Sequence, residues 1–447
     1  MLPPSWQQLA HTSKIQHVVI IVQENRSFNN LFYGYPGAKT VTFGLDSQNK
    51  KIQLKPISLA TNWDMQHNGH GFITSCNGTG IIPGTDCRMN GFDKESCNPV
   101  KGPCPKSKYL AYAYVPHSET TPYLSMAHQY VLADEMYASD FDISSFDSHQ
   151  YIIAGVNPKS SVDYPIDGAN WGCTGGPGDK IDILGKDRTW GKATERACWN
   201  LKTLADELDD AKLPWAFYAV PLSGSGRFGC GSGNQVGPAG NGSRGSGIWS
   251  AYQAIKHICY GPDWDKDVAP FSPPSKFLSD IGSGQLRAVT WITPTFGNSD
   301  HAGNDSPTGP SWVASLVNAV GESKFWDSTA LFIFWDDSGG WYDPEPPAYL
   351  KNSDYDGLGY RLPLLIISPY TKEGVVSHTH YEHGSILRFV EETFGLKALA
   401  ASDKRANSPD DAFDFSQAPR AFVPIKAPYD AGYFMRQALD TRAPDTN

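Results

Sequence analysis

Ala330-Leu331-Phe332-Ile333-Phe334-Trp335-Asp336-Asp337-Ser338-Gly339-Gly340 is the stretch on which the fold turns. Its first six residues are apolar and aromatic, the pattern of a short strand buried on both faces. Nothing in such a strand favours two neighbouring charges. At its carboxyl end, however, Asp336 and Asp337 fall where open α/β sheets carry their chemistry. Ser338-Gly339-Gly340 lets the backbone turn away at once, so both carboxylates can reach one cation instead of pointing to opposite faces. The alternative reading is a surface turn capped by Asp.

Working outward, other buried strands carry the same signature. Ile15 to Val22 is one, followed at once by Glu24-Asn25-Arg26-Ser27-Phe28. Trp215 to Val220, Val289 to Pro294 and Leu362 to Ile367 are others. Between them lie helical patterns at Pro122 to Met136, at the end of 139–155, at Leu201 to Ala211, at Trp312 to Gly321, and at Ser385 to Phe394, where Gly395 supplies a C-cap. Strands alternating with helices predict an α/β three-layer sandwich on a mainly parallel central sheet. There is no internal repeat. The seams read as insertions, roughly 60–115 and 156–270, so one domain over 1–447 is expected. The Gly- and Ser-rich run 222–248 reads as a loop or lid tied down by Cys230.

At 447 residues, 19% charged and 40% hydrophobic, the chain is globular and not disordered. A net charge of −10 argues against nucleic acid as a partner. No apolar stretch reaches the length of a membrane span, and the Met1 end lacks the basic and apolar regions of a leader. The eight cysteines include no Cys-x-x-Cys pair, which argues against thiolate zinc sites. They read as four disulfides stapling long loops, hence an oxidising compartment, secreted or periplasmic. Pairing of neighbours (76 with 87, 97 with 104, 173 with 198, 230 with 259) is the simplest of many connectivities.

Four strands end in polar clusters: Glu24-Asn25, Asp300-His301, Asp336-Asp337 and, after a longer connection, His378 to His383. Parallel strands gather their carboxyl ends on one edge, so Glu24, Asn25, Asp336 and Asp337 can converge. Three carboxylates and an amide suit a hard or borderline divalent cation, which would neutralise a phosphate and polarise its bridging oxygen. Ser144-Ser145-Phe146-Asp147-Ser148-His149 places hydroxyls just before a helix. Ser145 there reads either as an N-cap or as a metal-bound nucleophile. Asp263-Trp264-Asp265-Lys266-Asp267 opens like a Ca²⁺ loop but has Val268 and Pro274 where Gly and Glu are needed, so it reads as a solvated turn. Asn77-Gly78-Thr79 and Asn241-Gly242-Ser243 fit the glycosylation pattern.

Val18 to Phe28 resembles the opening signature of the bacterial phosphoesterase family. That family holds acid phosphatases of the Francisella type, bacterial phosphatidylcholine-hydrolysing phospholipases C and plant non-specific phospholipases C. Asp64-Met65-Gln66-His67 is similar to its Asp-x-x-His element, and Arg88 to Phe92 to its Met-Asp-Gly-Phe stretch, with Asn90 in place of Asp. Asp300-His301, Trp335 to Asp343 and His378 to Leu396 match in order, leaving the loops at 71–110 and 156–270 outside.

The resemblance implies an alkaline-phosphatase-like fold and one divalent metal ion (Ca, Mg, Mn, Fe or Zn) held by Glu24, Asn25, Asp336 and Asp337 with Ser145. It also implies that Ser145 is the nucleophile of a double displacement through a phosphoserine, with His67 or His301 protonating the leaving oxygen. His149 and His378 would orient neighbours, and His380 and His383 would lie at the surface or behind the site. Ser145, where phospholipase members carry Thr, and a chain ending soon after Phe415 favour an acid phosphatase cleaving small phosphomonoesters. A phospholipase C acting on phospholipid, with transient membrane contact, is the alternative. A binding protein that keeps the fold without catalysis is the reading from another class, and the intact ligand set argues against it.

Overall fold

A computed structural model describes residues 14–141, 144–156, 163–165, 172–173, 181–185, 188, 193–195, 197–221, 229–232, 249–348, 357–399, 401–440 and 442. The principal sheet has eight strands: β1 (His17–Gln23), β2 (Val131–Tyr137), β3 (Trp215–Tyr218), β4 (Val289–Ile292), β5 (Thr329–Trp335), β6 (Arg361–Ile367), β7 (Val375–Ser377) and β8 (Tyr381–Glu382). Their order is β3-β4-β1-β5-β6-β2-β7, with β8 also pairing β2. Only β6 runs antiparallel to its neighbours, β5 and β2. All other pairings in the sheet are parallel.

The alternation within β1 explains the layers. Val18, Ile20 and Val22 enter one apolar core and Val19 and Ile21 enter another, on the opposite face. In β5, Ala330, Phe332 and Phe334 go to the first core, and Leu331, Ile333 and Trp335 to the second. Because successive side chains of a strand point to opposite faces, a strand apolar throughout must be covered twice. Helices α3 (Ser145–Ala154) and α5 (His383–Phe394) line the first face; α2 (His117–Gln129) and α4 (Gly309–Gly321) line the second. The protein is therefore an α/β sandwich with a mostly parallel central sheet.

Two sequence expectations are corrected. The stretch Pro122 to Met136 is not one helix: α2 begins at His117 and ends at Gln129, and β2 follows directly. Asp134 and Glu135 disguise β2, yet both are buried. Asp263 to Asp267 is not a solvated turn. Trp264–Val268 forms a wide helical turn with Trp264 and Asp267 buried.

All four disulfides join the expected neighbours, Cys76–Cys87, Cys97–Cys104, Cys173–Cys198 and Cys230–Cys259. Apart from residues 229–232, the Gly-rich run 222–248 lies outside the described residues, as does Asn241. At the other sequon, Asn77 caps α1 (Gly69–Cys76) and its amide donates to Asn90 Oδ1 at 2.8 Å. Among the described residues no helix is long and apolar enough to cross a membrane.

Candidate active site

The parallel register sets Gln23 opposite Trp335, so Glu24 and Asp336 leave adjacent strand ends at the same height. Asp336 N–H donates to Gln23 O at 3.0 Å, and Asn25 N–H donates to Asp336 Oδ1 at 3.2 Å. The Gln23 side chain completes the join. Its Oε1 accepts from the N–H groups of Glu24 (3.2 Å) and Asp300 (3.0 Å), and its Nε2 donates to Asn298 O at 3.2 Å. Sequence reading passed over Gln23 because it looks like the last residue of a strand. Its role depends on the 298–300 loop, which is remote in sequence.

Asp336 and Asp337 are fully buried, which excludes the surface-turn reading. Asp336 Oδ1 takes the N–H groups of Asn25 and Asp337, while Oδ2 has no hydrogen-bond partner. Asp337 Oδ1 accepts from Gly339 N–H at 2.6 Å. Gly339 and Gly340 both adopt left-handed backbone, with φ of 60° and 68°. At Gly340 a Cβ would fall 2.5 Å from Gln66 O, so this turn packs closely on the segment carrying Asp64 and His67.

Ser145 opens α3, and the N-cap is Ser144, not Ser145. The Ser145 hydroxyl instead lies between two carboxylates, 3.3 Å from Glu24 Oε2 and 3.4 Å from Asp337 Oδ2. One turn along the helix, His149 Nε2 reaches Glu24 Oε1 at 3.0 Å and lies 3.7 Å from Asp336 Oδ2. Both oxygen and nitrogen of the Asn25 side-chain amide are buried without a hydrogen-bond partner.

His67 and His301 come together from distant segments, their ring centroids 5.3 Å apart. Both are buried. Nδ1 of His67 contacts Met65 O at 2.7 Å and lies 3.3 Å from Asp64 Oδ2. Nδ1 of His301 contacts Ala302 O at 2.6 Å. A carbonyl can only accept, so each Nδ1 carries a proton and each Nε2 is left without a partner. Next to His301, Asp300 Oδ2 accepts from Tyr123 OH at 2.7 Å and Trp335 Nε1 at 3.1 Å. His383 is buried behind the site, its ring 5.5 Å from that of Phe334. His380 is exposed and stacks on Tyr137, and half-exposed His378 contacts Asp134 Oδ1 at 2.8 Å.

Burial, and after it the Asp336 charge, pushes the Glu24 carboxyl well above its usual range. Burial and Asp336 push Asp337 up in the same way, against the stabilising N–H of Gly339. Burial lowers His149 to about 4, opposed by Asp336. A desolvated set of carboxylates holds its charges only beside a cation. The orphaned Asn25 Oδ1 and Asp336 Oδ2, with Glu24, Asp337 and Ser145, make an oxygen-rich set that fits a divalent ion. Among the described residues, three groups place metal-capable atoms within 4.8 Å of one another: Glu24, His149 and Asp336; Asp64, His67 and His301; and Asp209, Asp263 and Asp267.

The chain is 23% identical over 456 residues to non-specific phospholipase C1 of Arabidopsis thaliana, covering 93% of this chain and 74% of that protein. It is 23% identical over 430 residues to non-hemolytic phospholipase C of Burkholderia pseudomallei, covering 85% of this chain and 55% of that protein. Among solved structures, an alkaline phosphatase superfamily protein from Vibrio parahaemolyticus aligns with 92% of this chain and 81% of its own, at a TM-score of 0.38 and 8% identity. The model of the Phosphoesterase family matches residues 15–397. The chain belongs to the Phosphoesterase family and is a phosphoric ester hydrolase.

Proposed function

We propose that this protein is a secreted, metal-dependent phosphatase that cleaves phosphomonoesters through a phosphoserine on Ser145, all within one catalytic domain. The observation that carries this reading is the Ser145 hydroxyl, held between Glu24 Oε2 and Asp337 Oδ2 in a buried cluster. Glu24, Asn25, Asp336, Asp337 and Ser145 would hold one divalent cation. When bound, that cation neutralises the carboxylates, lowers the pKa of the hydroxyl and offsets charge on the phosphate.

The protein's own groups divide the remaining work. Ser145 Oγ gives its proton to a neighbouring carboxylate and bonds to phosphorus as the bond to the leaving oxygen breaks. His67 or His301 donates a proton from Nε2 to that oxygen. Water then attacks phosphorus and gives one proton to the neutral imidazole, while the P–Oγ bond breaks and the carboxylate returns its proton to Ser145 Oγ. The backbone carbonyls at Nδ1 keep each ring oriented for this exchange.

A second reading, hydrolysis of phospholipid to diacylglycerol and a phosphorylated head group, is favoured by the phospholipase C relatives. Parallel assays with p-nitrophenyl phosphate and a phosphatidylcholine analogue decide between them. Faster turnover of the lipid would replace the first reading with the second. Acid-quenched enzyme should carry phosphate on the peptide containing Ser145, and Ser145→Ala should lose turnover on both substrates. Retained activity in that variant would remove the nucleophile assignment.

A further inference from the structure

Glu24 is gripped by one helix at both carboxylate oxygens. Oε2 meets the Ser145 hydroxyl at 3.3 Å and Oε1 meets His149 Nε2 at 3.0 Å. Ser145 and His149 are four residues apart on α3, so their side chains stack on one face of the helix. Glu24 itself follows β1 and is fully buried. With a cation holding Glu24 ionised, that carboxylate only accepts, so Nε2 carries the proton in this contact. The same N–H lies 3.7 Å from Asp336 Oδ2 and thus faces both carboxylates.

We infer that His149 is a positioning residue: its Nε2–H locks Glu24 so that Oε2 faces the nucleophile and the cation. This inference rests on the reading of Ser145 as the nucleophile. The clamp ties the helix that carries Ser145 to the strand end that carries the metal ligands. Without it, Asp336 repels the Glu24 carboxylate, and the nucleophile and ligands lose their common reference. A hydrogen bond from outside the ligand set that orients a ligating carboxylate commonly governs metal affinity.

The experiment titrates the metal-stripped protein with Mn²⁺ by calorimetry. It compares wild type, His149→Leu and His149→Gln, and measures kcat and KM on p-nitrophenyl phosphate after loading. His149→Leu should bind Mn²⁺ about 10-fold more weakly and lose about 10- to 100-fold in kcat, with KM changed by less than about twofold. His149→Gln, whose amide N–H can reach Glu24, should recover most of both. Wild-type affinity in His149→Leu would overturn the inference. So would a near-complete loss of Mn²⁺ binding in both variants, which would make His149 itself a ligand.

Should His149→Leu fail to fold, the decision falls to His149→Gln: affinity within about threefold of wild type supports the clamp, and a larger loss overturns it. Ser145→Ala, assayed alongside, separates the two failures. If it retains turnover, the nucleophile reading falls and this inference with it. If it is inactive while His149→Leu binds Mn²⁺ normally, only the role of His149 falls.

Discussion

The backbone N–H of Asn25 donates to Oδ1 of Asp336 at 3.2 Å, tying the residue after β1 to the residue after β5. Asn25 adopts left-handed backbone to make this bond, with φ of 62°. Asn tolerates that conformation better than most residues. Gly339 packs against the same peptide, where a Cβ would overlap the Asn25 carbonyl oxygen. The close pair of strand ends thus depends on a glycine three residues after Asp336 and far from Asn25 in sequence.

Gly339→Ala is therefore expected to separate Asn25 from Asp336. Strain at positive φ adds to the overlap, for a stability loss of about 2 kcal/mol or more. Activity should fall by at least about 10-fold, because the proposed ligand pair moves. Thermal unfolding and a metal titration of the variant check both expectations. Wild-type metal affinity in Gly339→Ala would show that this contact does not set the site.

Removal of the metal should destabilise the protein more at neutral than at acid pH. Glu24 and Asp337 are held above their usual carboxyl range by burial and by Asp336. Raised folded-state values mean that the metal-free fold binds more protons than the unfolded chain, so its stability falls as pH rises above the ordinary carboxyl range. A divalent cation held by the proposed ligand set would take over from those protons. The melting temperature of chelator-treated protein should rise from pH 7.5 to pH 5, and added cation should raise it more at pH 7.5 than at pH 5. Equal cation effects at both pH values would contradict this.

Glu391 gives a pH effect away from the buried carboxylates of the proposed site. Burial pushes its carboxyl up to about 8, although Oε1 accepts the Leu399 N–H at 3.0 Å. The folded state keeps this proton while the unfolded chain loses it, so stability is lost as pH rises from the ordinary Glu range through about 8. Glu391→Gln retains an acceptor for Leu399 and cannot ionise. It should match wild type at pH 5 and be the more stable protein at pH 9, as read by urea unfolding.

Arg361 and Asp343 form a buried two-pronged ion pair, Nε to Oδ1 at 3.0 Å and Nη2 to Oδ2 at 3.1 Å. Asp343 also accepts the Asn29 N–H at 3.0 Å, which links β6 to the segment just after Glu24 and Asn25. Arg361→Leu leaves a buried carboxylate unpaired and should cost about 3–5 kcal/mol in denaturant unfolding. The double variant Arg361→Leu/Asp343→Leu should recover part of that loss. No recovery would mean that the Asn29 contact outweighs the ion pair.

By itself the sequence determined the layered α/β fold, because runs such as Val18 to Val22 and Ala330 to Trp335 are apolar at every position and must be covered on both faces. It also marked the carboxylates, since paired charges directly after a buried strand need a local reason. The strand at Val131–Tyr137 was hidden because two acidic residues interrupt its pattern. The reversed direction of β6 was hidden because apolar alternation reads the same both ways. Only the tertiary structure put His149 on Glu24, set His67 beside His301 and turned the Ser145 hydroxyl between two carboxylates. Each of these joins groups far apart in the chain, and their approach is fixed by strand register and helix packing, not by local residue preference.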